Sequence, residues 1–274
     1  MSSLSIGRAW DEAKAALQSH RRLIVPIALG LILLPAVVAS MVEPQVPAGQ
    51  QPPAGLWMLI VLAMIIVMFV GQLAMVLLVN GWRGSVGEAI GQGARRAPTL
   101  ILAALMIGIL VILLFSLILA VSMGRSIESG QFDWSSVSGI GWVLLVIASL
   151  ALFYGSVRIM MLVPVAASES LGPIGTIRRA FALTSGHFWR LLGFVLMLMV
   201  GFFVVALTVG AVIGALVTLL FGRPEPWSIS LLLVALTGGL VQAGFVMVYT
   251  SMLARIYAQL SGGQAHVPDV KHEG

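Results

Sequence analysis

The sequence predicts an all-α, polytopic membrane protein with six transmembrane helices, and three observations predict it. Hydrophobic residues make up 59% of the 274 positions and charged residues only 9%, against roughly 25% charged in a soluble domain. The apolar residues fall into six long runs, each of the length a bilayer demands of a helix. The basic residues fall into the short segments between those runs. So little polar surface cannot coat a water-soluble globule, so lipid is the solvent for most of the chain. The net charge of +5 is therefore read as charge at helix ends, and no nucleic-acid partner is expected. With no cysteine, disulfides, thiolate metal sites and cysteine nucleophiles are excluded.

Residues 1–22 carry Arg8, Lys14, Arg21 and Arg22, while Ile6, Trp10, Ala13 and Leu17 recur at helical spacing. This predicts an amphipathic helix on the membrane surface. A cleaved leader is the competing reading; the long polar lead and the weak Ala-Val-Val-Ala-Ser run at 36–40 argue against it. The first span is 23–42, where Pro26 and Pro35 predict kinks that a lipid-embedded helix tolerates. A loop at 43–55 holds four prolines and no Lys or Arg. The second span is 56–79, followed by a polar segment at 80–97 with Arg83, Glu88, Arg95 and Arg96. The third span is 98–123, the loop 124–138 contains Arg125, Glu128 and Asp133, and the fourth span is 139–165 with Arg158 in its last third.

The longest polar interruption is 165–190, with a helix start at Pro173, Arg178 and Arg179 side by side, a break at Ser185-Gly186 and a re-entry at His187 to Arg190. Spans at 188–221 and 227–257 follow, both longer than a perpendicular crossing needs, so tilt or an interfacial continuation is expected. Residues 1–258 form one membrane domain and 259–274 a polar tail. Thirteen Lys and Arg fall on one side of this topology, and only Arg125 and Arg223 on the other. The positive-inside rule then places both termini in the cytoplasm.

Three basic-side segments begin alike, with Ser5-Ile6-Gly7, Ser85-Val86-Gly87 and Pro173-Ile174-Gly175. Each leads through a helix-like stretch into an apolar span. This predicts three tandem units, about 1–80, 81–168 and 169–258, each a surface helix plus a helical hairpin. Ser85 and Glu88 fit a capping box. In the third unit Ile174, Ile177 and Phe181 share one face, with Arg179 expected to point away from it.

Few residues here carry chemistry. His20, His187, His266 and His272 lie at span edges or in the tail, and the HExxH zinc pattern does not occur. Asp11, Asp133 and Asp269 lie outside the spans, which removes paired intramembrane carboxylates. Gly155-Ser156 has no histidine in the sixth span to act as its base. Neither a catalytic group, a metal nor a cofactor is expected. Arg158 is the most pointed residue, because an ionisable group inside a span is a functional hypothesis by default. It either binds a lipid phosphate or another anion between helices, or it snorkels to the headgroups or pairs with Glu169; its place near the span end favours the structural account. Arg178, Arg179 and Arg190 serve equally well as holders of anionic lipid or as topology signals. Gln72, Asn80 and Gln242 are expected to hydrogen-bond between helices, and Gly210 and Gly214 to permit close helix contact.

Residues 165–196 resemble the integral membrane domain that precedes the catalytic domain in some bacterial glycerophosphoryl diester phosphodiesterases, and its stand-alone relatives. Glu169 and the run from Arg178-Arg179 through Ser185-Gly186-His187-Phe188-Trp189-Arg190 to Gly193 carry the resemblance, helped by Ile6 to Trp10 and the six-span layout. The phosphodiesterase barrel with its His and acidic ligands is absent, so the resemblance implies a bacterial inner-membrane module and not a hydrolase. The leading expectation is a non-catalytic module that engages membrane lipids or organises a membrane or cytoplasmic partner protein. The alternative is a transporter or lipid translocase with a polar site around Arg158.

Overall fold

The computed structural model describes residues 4–46, 52–123 and 137–262. The expected loop at 124–138 lies almost wholly outside them, as does most of the tail with His266 and His272. The described residues form helices without strands: α1 (Ile6–Ser19), α2 (Arg21–Ala28), a π-helical segment (Leu29–Leu33), α3 (Leu34–Val42), α4 (Trp57–Val79), α5 (Val86–Met123), α6 (Gly139–Ile159), α7 (Leu162–Ser168), α8 (Pro173–Thr184), α9 (Phe188–Phe221) and α10 (Ile229–Leu260). Six stretches are long and apolar enough to cross a membrane, beginning at Arg21, Trp57, Val86, Gly139, Phe188 and Ile229.

The helix starts follow from local chemistry. Ser5 caps α1 by accepting from the Arg8 amide. Ser85 and Glu88 close a reciprocal capping box: the Ser85 amide donates to Glu88 Oε2 at 2.9 Å, and the Glu88 amide to Ser85 Oγ at 3.2 Å. Pro173 occupies the first turn of α8, where its missing N–H costs nothing. Between Pro26 and Pro35 the first span widens rather than simply kinking, and the Leu34 amide reaches back five residues to the Leu29 carbonyl.

One expectation about the surface helices changes. The second segment is not a separate surface helix, because α5 runs unbroken from Val86 through Pro98 into its span. The first and third segments do break, at His20 and at Ser185-Gly186, where Gly186 takes a φ of +80°. The second segment has no such residue; instead Gly93 lays α5 directly on α4. A Cβ there would meet the Val70 carbonyl oxygen at 2.9 Å. The faces of α1 and α8 that meet protein are the small-residue ones. Helix α1 buries Ala9, Ala13 and Ala16 against α10 and leaves Trp10 half-exposed. Helix α8 buries Thr176, Ala180, Leu183 and Thr184 and exposes Ile174. Small residues meet protein and large apolar ones face outward, as membrane helix contacts favour.

The core is concentrated at one end. The largest fully buried side chains include Leu73, Met75 and Leu78 of α4, Met161 next to α7, and Met252, Leu253, Ile256 and Tyr257 of α10. Connectivity puts Arg21, Arg22, Arg83, Arg95, Arg96, Arg158, Arg178, Arg179, Arg190 and Arg255 at this same end, called the basic end below. At the opposite end the helices splay, and their exposed faces are apolar.

Candidate functional site

Helices α4, α5, α7, α8 and α10 converge on Glu169 at the basic end. The chain leaves α6 at Met160-Met161, earlier than a break at Pro164 would place it. Pro164 sits inside the first turn of α7, where a helix accepts proline, so the interruption falls just upstream. Helix α7 ends at Ser168 and Glu169 is extended, which swings its carboxylate toward α8 and α10. Glu169 Oε1 accepts from Arg179 Nε at 2.9 Å and from the Tyr257 hydroxyl at 2.8 Å. Its backbone carbonyl accepts from Arg96 Nη1. Arg179 lies on the side of α8 away from Ile174, and on that side it meets Glu169. It lies next to Ala180 on α8, at the edge of the buried face, and Glu169 is within its reach.

Other ties close the same end. Arg255 Nη2 donates to the Val79 carbonyl at 2.5 Å, and Asn80 Nδ2 to Ser168 Oγ at 3.5 Å. Arg190 Nη1 donates to the Leu4 carbonyl at 2.8 Å, and the Ser5 amide to Gln259 Oε1 at 3.1 Å, so the N-terminal segment is pinned across α9 and α10. The Val79 carbonyl, in the last turn of α4, is one of the acceptors that the helix itself leaves free. Of the three amides expected to bridge helices, only Asn80 does so among the described residues; Gln72 and Gln242 have no such bond.

Arg158 stands apart from this knot. It is on the last turn of α6, its guanidinium carbon 5.6 Å from the ring centres of both Tyr154 and Phe181. Thr184 Oγ1 donates to the Arg158 carbonyl at 3.2 Å, tying α6 to α8 beside it. Tyr154 also meets Phe188 of α9, ring centres 4.8 Å apart, so the ring on α6 is itself backed by an aromatic neighbour. Among the described residues Arg158 has no carboxylate partner, and its Nε is buried without a hydrogen bond. The pairing with Glu169, one of the readings open from the sequence, is not formed; Arg179 occupies that carboxylate. Arg178 is exposed and has no partner among the described residues.

The five residues singled out in the sequence thus divide three ways. Glu169 and Arg179 come together, Arg190 fastens the N-terminus, and Arg158 and Arg178 keep uncompensated charge. Sequence reasoning missed Tyr257 and the two rings around Arg158. The available signal was a polar aromatic at a span end: Tyr154 and Tyr257 are two of only three tyrosines in the chain.

No curated protein and no solved structure matches this chain. A family model does, over residues 132–271, just over half of the length, and the unit it describes is a membrane domain and not a catalytic one. The match takes in α6 to α10, and with them Arg158, Glu169 and the α8 arginines. With six apolar helices and that match, the chain is a multi-pass membrane protein, and it belongs to the family of the membrane domain of glycerophosphoryl diester phosphodiesterase.

Proposed function

We propose that the protein is a non-catalytic inner-membrane module that holds anionic lipid headgroups at its basic end, with that end in the cytoplasm. The observation that carries this reading is Arg158. A half-buried guanidinium at the end of α6, stacked on two rings and without a carboxylate partner among the described residues, keeps its attraction for an outside anion. Arg178, exposed on the neighbouring helix, adds a second uncompensated charge. A phosphate at headgroup level accepts bidentate hydrogen bonds from such an arginine. The organisation of a partner protein on the same face remains within this reading, since lipid and protein would share the exposed basic surface.

Translocation is the competing function, and the position of Arg158 separates the two. A translocase needs the arginine in a polar cavity within the membrane. Arg158 instead belongs to the last turn of α6, just before the chain breaks at Met160-Met161, and its long side chain can extend toward the headgroups.

The test is native mass spectrometry of the full chain in nanodiscs of zwitterionic lipid containing a minor fraction of phosphatidylglycerol. Each lost charge is expected to lower anionic-lipid retention about fivefold in Arg158→Gln and again in Arg178→Gln. Equal retention in wild type and both variants would remove the reading. Lipid flux in proteoliposomes that disappears with Arg158→Gln would favour translocation instead.

A further inference from the structure

A long groove follows α10 on the side that no helix fully covers. One part, of about 700 Å³, is walled by α3 and α9, with Ser40, Glu43, Gly210 and Gln242 among its lining. A second part, of about 600 Å³, continues between α9 and α10 to Ile6 and Trp10 of α1. Phe202, Val241 and Phe245 line both parts. Along α10 the lining runs from Leu231 to Met252, which at 1.5 Å per residue is about 30 Å, the hydrocarbon depth of a bilayer.

Missing side chains give the groove its depth. A Cβ added at Gly201, Gly210, Gly214, Gly238 or Gly244 would meet nothing within 4 Å. Gly210 and Gly214 were expected to permit close helix contact, and within this chain they face open space. Gly239, by contrast, is pressed on Leu33, where a Cβ would lie 2.6 Å from Cδ1. Glycine on α10 thus serves close packing on one side and an open channel on the other.

The polar groups of the groove indicate its occupant. The walls are apolar and suit acyl chain. The one charged lining residue is Glu43, just past the end of α3, exposed and without an ion pair among the described residues. Gln242 offers an amide with no hydrogen-bond partner among the described residues, in the middle of α10. The same end of the bundle carries Arg223 in the α9–α10 turn, its carbonyl held at 3.1 Å by Ser230 Oγ, next to Leu231 of the groove. A carboxylate at the mouth repels a purely anionic headgroup and attracts an ammonium. A primary ammonium also donates up to three hydrogen bonds, which a quaternary one cannot do.

We propose that this groove binds one phospholipid whose headgroup carries a primary amine, with the acyl chain along α10 and the ammonium at Glu43. The site is at the opposite end of the bundle from Arg158 and of the opposite charge, so the two readings stand or fall separately.

The experiment uses the full chain in phosphatidylcholine nanodiscs with equal minor fractions of phosphatidylethanolamine and phosphatidylglycerol, read by native mass spectrometry. Glu43→Gln is expected to lower phosphatidylethanolamine retention about fivefold relative to phosphatidylglycerol. The double variant Gly210→Leu with Gly244→Leu fills open space, keeps the fold by circular dichroism, and should lose the bound lipid altogether. Arg158→Gln should leave phosphatidylethanolamine retention unchanged. Retention unaffected by the groove-filling variant would place the lipid elsewhere and overturn the proposal. Loss of lipid in that variant with no headgroup preference in Glu43→Gln would overturn the amine assignment. A wild-type dimer that becomes a monomer on groove filling would assign the groove to a second copy of the chain.

Discussion

The two halves of α4 show how differently the ends of this molecule are built. From Trp57 to Val70 no residue is buried, whereas from Gly71 to Val79 every residue but Gln72 is. Helix α10 repeats the contrast in the same order along the chain. Its first part buries one stripe, including Leu231, Ala235, Gly239 and Ala243, and its last part buries every residue from Thr250 to Tyr257 except Arg255. At the basic end helices meet on all sides and polar groups lock them. At the opposite end lipid solvates what protein does not cover. A membrane helix gains no hydrophobic free energy by exchanging a lipid contact for a protein contact, so packing and hydrogen bonds decide where helices converge.

The sharpest way to break this comparison is to add the same side chain at both ends. Gly93→Leu drives a Cβ into the Val70 carbonyl and the Ala74 amide. Forced backbone movement of that kind is expected to cost about 3 kcal/mol. Gly210→Leu enters open space and should change stability by about 0.5 kcal/mol or less. Thermal unfolding in one detergent measures both, and equal losses would mean that the opposite end is packed after all.

The next effect isolates the polar lock. Glu169→Leu leaves the buried Tyr257 hydroxyl without its acceptor and frees Arg179. The expected loss is about 2 kcal/mol, mostly from Tyr257; the Arg179 share is small because its side chain is 42% exposed. Tyr257→Phe removes donor and demand together and should cost only about 1 kcal/mol. If Tyr257→Phe proved the more damaging, the Tyr257 hydroxyl would hold that end through a partner other than Glu169. A smaller loss, about 1 kcal/mol, is expected for Ser85→Ala, which opens the capping box. Because α5 is continuous with its span, hydrogen exchange should rise only in its first turns; exchange spreading past Pro98 would contradict that continuity.

How much of this was legible in the sequence depended on what the solvent could reveal. Six spans, the Ser85–Glu88 cap and the Pro173 start were readable, because hydropathy and cap chemistry are local. The packed faces of α1 and α8 were not. With lipid and protein both apolar, Trp10 and Ile174 carry the same signal as a core residue, and it is Ala9, Ala13 and Ala180 that mark the contact. The partner of Glu169 was not legible for a related reason. Arg158 was weighed as one possible partner and Arg179 was not, because the extended backbone at Glu169 that turns its carboxylate toward α8 leaves no mark in hydropathy. The groove had no signature, since a glycine that opens space and one that closes it read alike.

The finest comparison is between adjacent arginines on α8. Arg178 is exposed and unpaired among the described residues; Arg179 is bound to Glu169. Arg178→Gln should leave the unfolding temperature unchanged, at most about 0.5 kcal/mol, yet weaken binding of phosphatidylglycerol vesicles about fivefold. Arg179→Gln should do the converse: a small stability loss, limited by exposure, with a weaker effect on vesicles because Glu169 already neutralises that charge. Vesicle co-sedimentation at two salt concentrations measures this, since a free surface charge is screened and a paired one contributes little to screen. Identical behaviour of the two variants would mean that the number of arginines on α8 sets lipid affinity and that the Glu169 pairing has no part in it.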